Sequence, residues 1–254
     1  MFREKELQSE KDYETIKRLA DYITNSPGEM VTKFDNFTKY VQTTAISRFL
    51  ARYEIFKLQL DVPGSIIDLG VARGASLMSW AQFSTIFEPV NYTREIIGFD
   101  TFEGVPAIDE ERDKNIYNYD SALLKRDGFK AEEGMFEDVC NAISVYDMNR
   151  PINHIEKARV IKGDITKTVP EFVKEHPHLV VSLLNLDTDL YEPTKVAISL
   201  LYERMPKGGV IIFDELGVKM YPGETVALKD TLGMNSLRLK RFPWATTLSY
   251  AVID

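Results

Sequence analysis

Apolar residues recur along this chain with two different periods. Between Lys11 and Thr24, Tyr13, Ile16, Leu19, Ala20 and Ile23 fall at helical spacing, and Pro27-Gly28 ends the run. A second helix is predicted from about Asp35 to Leu60, with Phe37, Val41, Ala45, Phe49, Tyr53 and Phe56 on one stripe and Pro63-Gly64 closing it. After Gly64 the period changes. Short, near-continuous apolar runs follow: SIIDLG (65–70), EIIGFD (95–100), ARVIKGD (158–164), LVVSLLNLD (179–187) and GVIIFDE (209–215). Helices fit between them over 74–87 and about 133–146, 169–175 and 193–205. Strands apolar on both faces, alternating with helices, predict a parallel α/β sheet covered on both sides. A helix over about 224–232 then leads to SLRLKRF (236–242) and LSYAVI (248–253). Their short link predicts a hairpin-like reversal, so the sheet should have seven strands with an antiparallel last strand.

Length and charge narrow the picture. The 254 residues fit one α/β domain, read as a helical extension over 1–63 and a sheet domain over 64–254. A polar, turn-rich insertion at about 101–130 reads as a lid; the other reading is a disordered surface insertion. Net charge is −8, which argues against a nucleic-acid partner. The single cysteine, Cys140, allows no intrachain disulfide and favours a reducing compartment. Cys140 and Trp80 both read as core residues. The first residues are charged and no apolar run approaches the roughly 20 residues of a membrane helix. A cytoplasmic protein with no membrane partner is expected.

Ligands of open α/β sheets bind beyond the carboxyl ends of the strands. There the sequence places Asp68, Asp100, Asp164, Asp187 with Asp189, and Asp214 with Glu215. Gly70 and Gly74 form G-x-x-x-G, which is neither a dinucleotide fingerprint nor a P-loop; a plain strand-to-helix turn explains it equally. Asp100 is placed to accept both ribose hydroxyls of an adenosine, with Phe102 against the base, and NAD would satisfy it as well. Asp187, Asp189, Asp214 and Glu215 should lie close together, because sequential strands tend to be neighbours. Two unit charges 4 Å apart repel by about 4 kcal/mol at an effective dielectric near 20. A divalent cation relieves that, and all-oxygen donors select Mg²⁺, Ca²⁺ or Mn²⁺ over zinc. The competing reading is solvated loop acids or helix caps, Asp189 above all. Arg112, Lys114, Lys125 and Arg126 in the lid are either a solvated face or a site for a nucleotide diphosphate.

The ordered motifs GSIIDLGVARGASL, GFDTFEGVP, VIKGDITKTVP, LLNLDTDLYEPT and GGVIIFDELG resemble the macrocin O-methyltransferase family over about residues 64–233. MYPGETVALKD resembles its branch acting on nucleotide-linked deoxysugars. The resemblance implies a class I (Rossmann-like) methyltransferase fold. It also implies methylation of a sugar hydroxyl in antibiotic or polysaccharide pathways, using S-adenosyl-L-methionine and Mg²⁺ or another divalent cation. Cofactor contacts would come from Gly70, Ala72, Arg73, Gly74, Ser76, Asp100, Phe102 and the turn of Gly163, Asp164 and Ile165. Asp187, Asp214 and Glu215 would hold the metal, although the family more often has two aspartates where this chain has Asp214-Glu215. Catechol-type methyltransferases share the metal position, but some carry a lysine where this chain has Leu190.

A base is less evident. His154, His176 and His178 precede the third or fourth strand, so they should lie at the opposite end of the sheet. Asp187 and Asp189 are therefore the expected catalytic residues, with Asp189 as base and Glu103 or Asp109 of the lid as other candidates. The expected partner is a sugar or nucleotide-sugar acceptor. The apolar stripe of the first helices can cover the site or meet another subunit, and a homo-oligomer is expected. A catechol-like enzyme, a non-catalytic S-adenosylmethionine binder and a nicotinamide dehydrogenase are the competing readings.

Overall fold

The apolar runs after Gly64 pair side by side in a computed structural model that describes residues 9–114 and 128–254. The strands are β1 (Ser65–Leu69), β2 (Ile96–Asp100), β3 (Ala158–Lys162), β4 (Val181–Leu186), β5 (Val210–Phe213), β6 (Lys240–Phe242) and β7 (Ala245–Val252). They form one sheet in the order β3-β2-β1-β4-β5-β7-β6. β1 to β5 are parallel, and β7 runs antiparallel to both β5 and β6. β1 and β4 are buried at every position, which is why their sequences lack polar alternation.

Successive strand residues alternate between two cores. On one face, Ile67, Leu184 and Phe213 meet Val169 and Phe172 of α6 (Ile165–Glu175), Ala197 and Ile198 of α7 (Tyr191–Leu201), and Leu228 of α8 (Gly223–Thr231). On the other, Ile66, Leu183 and Ile212 meet Phe56 of α3 (Thr43–Leu58), Leu77 and Trp80 of α4 (Ala75–Phe87), and Ile143 of α5 (Met135–Met148). The sandwich of helices on both faces is the arrangement expected from the sequence.

Two element boundaries differ from expectation. The helix expected over 35–60 is broken into α2 (Met30–Asp35), a 3₁₀ turn at Phe37–Lys39, and α3. At Asn36 the side-chain amide donates to the Thr32 carbonyl at 2.9 Å, a local bond that competes with helix continuation. α6 starts at Ile165, before the expected 169, because the Asp164 carboxylate caps it by accepting from Thr166 N–H at 3.0 Å. Pro170 therefore lies inside the helix.

The chain divides into two compact units after Leu50. In the first, α1 (Glu10–Asn25) opens with a reciprocal capping box between Ser9 and Asp12. Lys33 Nζ donates to the Ile23 carbonyl at 2.7 Å, and the Tyr22 and Tyr40 rings stack 5.4 Å apart. In the second unit, buried charge collects at the amino ends of the strands. Arg94, 3% exposed, pairs with Glu88 at 2.6 Å and donates to the Gly64 and Val62 carbonyls. Lys157, also buried, donates to the Asn91 carbonyl at 2.8 Å. Among the described residues no helix is long and apolar enough to cross a membrane.

Candidate active site

The carboxyl ends of the strands are latched to one another in a row. Gly163 N–H donates to the Asp100 carbonyl (2.9 Å), Gly70 N–H to Phe99 (2.9 Å), Asp187 N–H to Leu69 (3.0 Å) and Asp214 N–H to Leu186 (3.0 Å). With strands about 4.8 Å apart, the row from β3 to β5 is about 19 Å long. It crosses the β1–β4 boundary, where the strand order reverses and ligands of open sheets bind. Gly70 permits the closest approach. Its φ is +87°, and a Cβ there would lie 1.8 Å from the Asp187 carbonyl oxygen.

Asp100 organises the half of the row expected to take the cofactor. Its carboxylate accepts from Ala72 N–H at 2.8 Å and Phe102 N–H at 2.7 Å. Both donors are non-glycine residues in the left-handed region, at φ +49° and +55°. Such conformations cost about 1–3 kcal/mol each and persist where the surroundings enforce them. Asp100 is one enforcer, and its carboxylate retains lone pairs for further donors. Gly74 (φ +84°) precedes α4, whose first turn has no side-chain cap. Arg73 pairs with Glu132 at the surface. Phe102 is buried edge-on to Phe136 at 5.3 Å. Three expected cofactor residues are occupied structurally. Ser76 Oγ donates to Asp68 at 2.7 Å, Asp164 caps α6, and Ile165 belongs to the core. Asp68 is fully buried, accepts also from Asn185 Nδ2 (2.7 Å) and Trp80 Nε1 (3.2 Å), and burial pushes its pKa upward.

The acids converge at the other half. Asp187, Thr188 and Asp189 leave β4, with Asp189 at φ +61°, while Asp214 and Glu215 leave β5. Leu190, not Asp189, holds the N-cap position of α7. Burial, then the charges of Asp214, Asp189, Glu224 and Asp187, drive Glu215 far above the usual carboxylate range. Glu224, at the start of α8, is 0% exposed, and burial followed by the Asp189 charge pushes it up to about 8. Its carboxylate accepts from Thr188 N–H (3.2 Å), Asp189 N–H (3.4 Å) and Glu215 N–H (3.1 Å). Among the described residues no three His, Cys, Asp or Glu side chains stand in a ready metal-holding group. The donor chemistry still suits a hard divalent cation, being all carboxylate oxygen under mutual repulsion.

The segment after β2 is tied to the same edge. Asp113 is 5% exposed and accepts from Tyr191 N–H at the start of α7 and from Asp109 N–H, both at 2.8 Å. Val105 joins Leu190, Met220 and Tyr221 in a small apolar cluster, and its N–H donates to the Gly128 carbonyl at 2.8 Å. Arg112 is paired with Asp109 (3.3 Å) and Asp230 (3.7 Å) and lies 4.9 Å from the Tyr191 ring centroid. Glu103 pairs with Lys162 at 3.1 Å, and Lys114 is exposed. Lys125, Arg126 and the rest of 115–127 lie outside the described residues.

His154 lies before β3, and His176 and His178 lie before β4, at the edge away from the acids. Trp80 is fully buried, as expected, and Cys140 is only partly so. Sequence reading overlooked Asp113 and the bonding role of Glu224. The signal for Glu224 was present in the PGE of MYPGETVALKD, an acid one residue after a Pro-Gly helix start.

Comparison with known proteins bears on this geometry. The sequence model of the family described as Macrocin-O-methyltransferase (TylF) matches residues 53–230. A curated relative, demethyldecarbamoylnovobiocin O-methyltransferase of Streptomyces niveus, is 26% identical over 155 residues, covering 61% of this chain and 53% of that protein. The chain thus spans about half the length of the curated relative it matches. The structure of CalS11, a calicheamicin methyltransferase, superposes with a TM-score of 0.88 at 28% identity, over 96% of this chain and 93% of that one. An apo structure of CalS11, described as a TDP-rhamnose 3′-O-methyltransferase of calicheamicin biosynthesis, gives 0.79 at 28% identity, over 96% and 95% of the two chains. The O-methyltransferase NovP shares the fold, with a TM-score of 0.60 at 21% identity over 82% of this chain and 80% of that one. The seven-stranded sheet, mostly parallel and closed by antiparallel last strands, is thus a class I methyltransferase fold.

Proposed function

The chain belongs to the macrocin O-methyltransferase family, and from that premise we propose that it methylates a hydroxyl of a nucleotide-linked deoxysugar, with S-adenosylmethionine as donor and a divalent cation such as Mg²⁺ at the acid edge. The observation that carries the reading is the latched row itself: Asp100 at one end, the converging carboxylates at the other, and the strand-order reversal between them. The nucleotide-linked acceptor is supported by the likeness to CalS11.

S-Adenosylmethionine, when bound, supplies a methyl group already activated on a sulfonium. The chain's tasks are then alignment and proton removal, and alignment alone can supply about 7–11 kcal/mol. Asp100 would receive the ribose hydroxyls, while the backbone of Gly70, Ala72, Arg73 and Gly74 lines the approach and Phe102 and the 163–165 turn flank the base. Ser76 acts from behind, through Asp68. Asp187, Asp214 and Glu215 would hold the cation. When bound, a divalent cation supplies Lewis acidity that eases removal of a hydroxyl proton, and it offsets the repulsion among these carboxylates. Asp189, whose backbone is left-handed at the end of β4, would take that proton. Asp113 ties the described segment that follows β2 to the start of α7, beside the acids.

Asp187→Asn tests the division of labour. It should abolish methyl transfer while S-adenosylhomocysteine, titrated calorimetrically, binds as to wild type. Full activity in this variant would remove Asp187 from the chemistry, and preferential binding of NAD in a parallel titration would overturn the donor.

A further inference from the structure

Glu224 does not behave as an ordinary acid in the first turn of a helix. Such residues usually face solvent, where the helix dipole favours them. Glu224 is 0% exposed and turns inward. One oxygen takes the N–H groups of Thr188 and Asp189 from the loop after β4. The other takes the N–H of Glu215 from the loop after β5. A single carboxyl group thus staples the backbones of the two loops that carry Asp187, Asp189, Asp214 and Glu215. It also fixes Asp189, whose left-handed φ of +61° is uncommon for a residue with a side chain. α8 is itself held by α7, since Tyr191 Oη donates to Asp230 at 3.1 Å.

We propose that Glu224 is a positioning residue that fixes the loops after β4 and β5 relative to each other by bonding the backbones of Thr188, Asp189 and Glu215, and so supports the binding of one divalent cation by the acids those loops carry. The proposal rests on the cation reading above. Glu224 touches neither cation nor acceptor; it acts through the two loops. The geometry requires two acceptor oxygens, one for each loop. A glutamine offers one acceptor oxygen, and its amide nitrogen would face a backbone N–H, donor against donor. An aspartate keeps both acceptors but falls one methylene short.

The test is Mn²⁺ binding, followed by loss of the free-ion electron paramagnetic resonance signal, in wild type, Glu224→Gln and Glu224→Asp. S-Adenosylhomocysteine titration reports the other half of the site. Glu224→Gln should weaken Mn²⁺ by about 10–100-fold, the usual effect of removing a group that orients metal ligands, with S-adenosylhomocysteine affinity unchanged. Glu224→Asp should lie between Glu224→Gln and wild type, and kcat at fixed Mn²⁺ should follow the same order. If Glu224→Gln no longer binds S-adenosylhomocysteine, Glu224→Asp carries the comparison. Equal Mn²⁺ affinity in wild type and the folded variants overturns the positioning role alone. Absence of Mn²⁺ binding in wild type overturns the cation reading, and the positioning role with it.

Discussion

What a carboxylate contributes at this sheet edge depends on the atoms it faces. Asp100 is turned to two strained backbone N–H groups, Asp164 to the first turn of α6, and Asp68 to a serine, an asparagine and a tryptophan. All stand in or beside strand ends, so the sequence makes them look alike. Their partners separate them, and Asn185 lies far from Asp68 along the chain. Away from the site, Lys157 provides a test of buried charge. Burial pushes its pKa down from 10.5 to about 8, with Glu88 pulling upward and Arg94 and Arg150 pushing further down. Below about pH 8 the folded and unfolded states both carry the charge, and the fold bears the full cost. Between about 8 and 10.5 the folded state sheds its proton first, so stability rises with pH. Urea unfolding at pH 7 and pH 10 should show wild type gaining about 2–3 kcal/mol relative to Lys157→Met. A pH-independent difference between the two proteins would contradict the burial argument.

At the scale of elements, the strands were legible because burial on both faces leaves an almost unbroken apolar run, as in Ile66-Ile67 and Leu183-Leu184. Helix limits were less so, since they depend on single side chains. Asn36 stops α2, and Asp164 starts α6 early enough to enclose Pro170. The acids at the ends of β4 and β5 could be read because sheet topology alone brings them together. Pro222-Gly223 marked Glu224 as the start of a helix, but its bonding role and that of Asp113 could not be read, because each works by bonding backbone elsewhere in the chain. Asp113 holds the segment after β2 onto the first N–H of α7. Asp113→Ala should therefore act like loss of a helix cap, costing about 1 kcal/mol and about 2–4 °C in Tm by calorimetry. An unchanged Tm would mean that the segment is held by the Val105 cluster alone.

The proposed chemistry divides along one sheet edge, with the strand-order reversal between the Asp100 half and the acid half. Family membership and the likeness to CalS11 bear on the same edge from outside the geometry. The most direct measurement is mass spectrometry of a nucleotide-linked deoxysugar, TDP-rhamnose first, incubated with the protein and S-adenosylmethionine. It is run as purified, after EDTA, and after Mg²⁺ is restored. The expected result is a product heavier by one CH₂, a methyl in place of a hydroxyl hydrogen, lost with EDTA and regained with Mg²⁺. Methylation of a catechol but of no nucleotide-linked sugar, or turnover indifferent to EDTA, would contradict it.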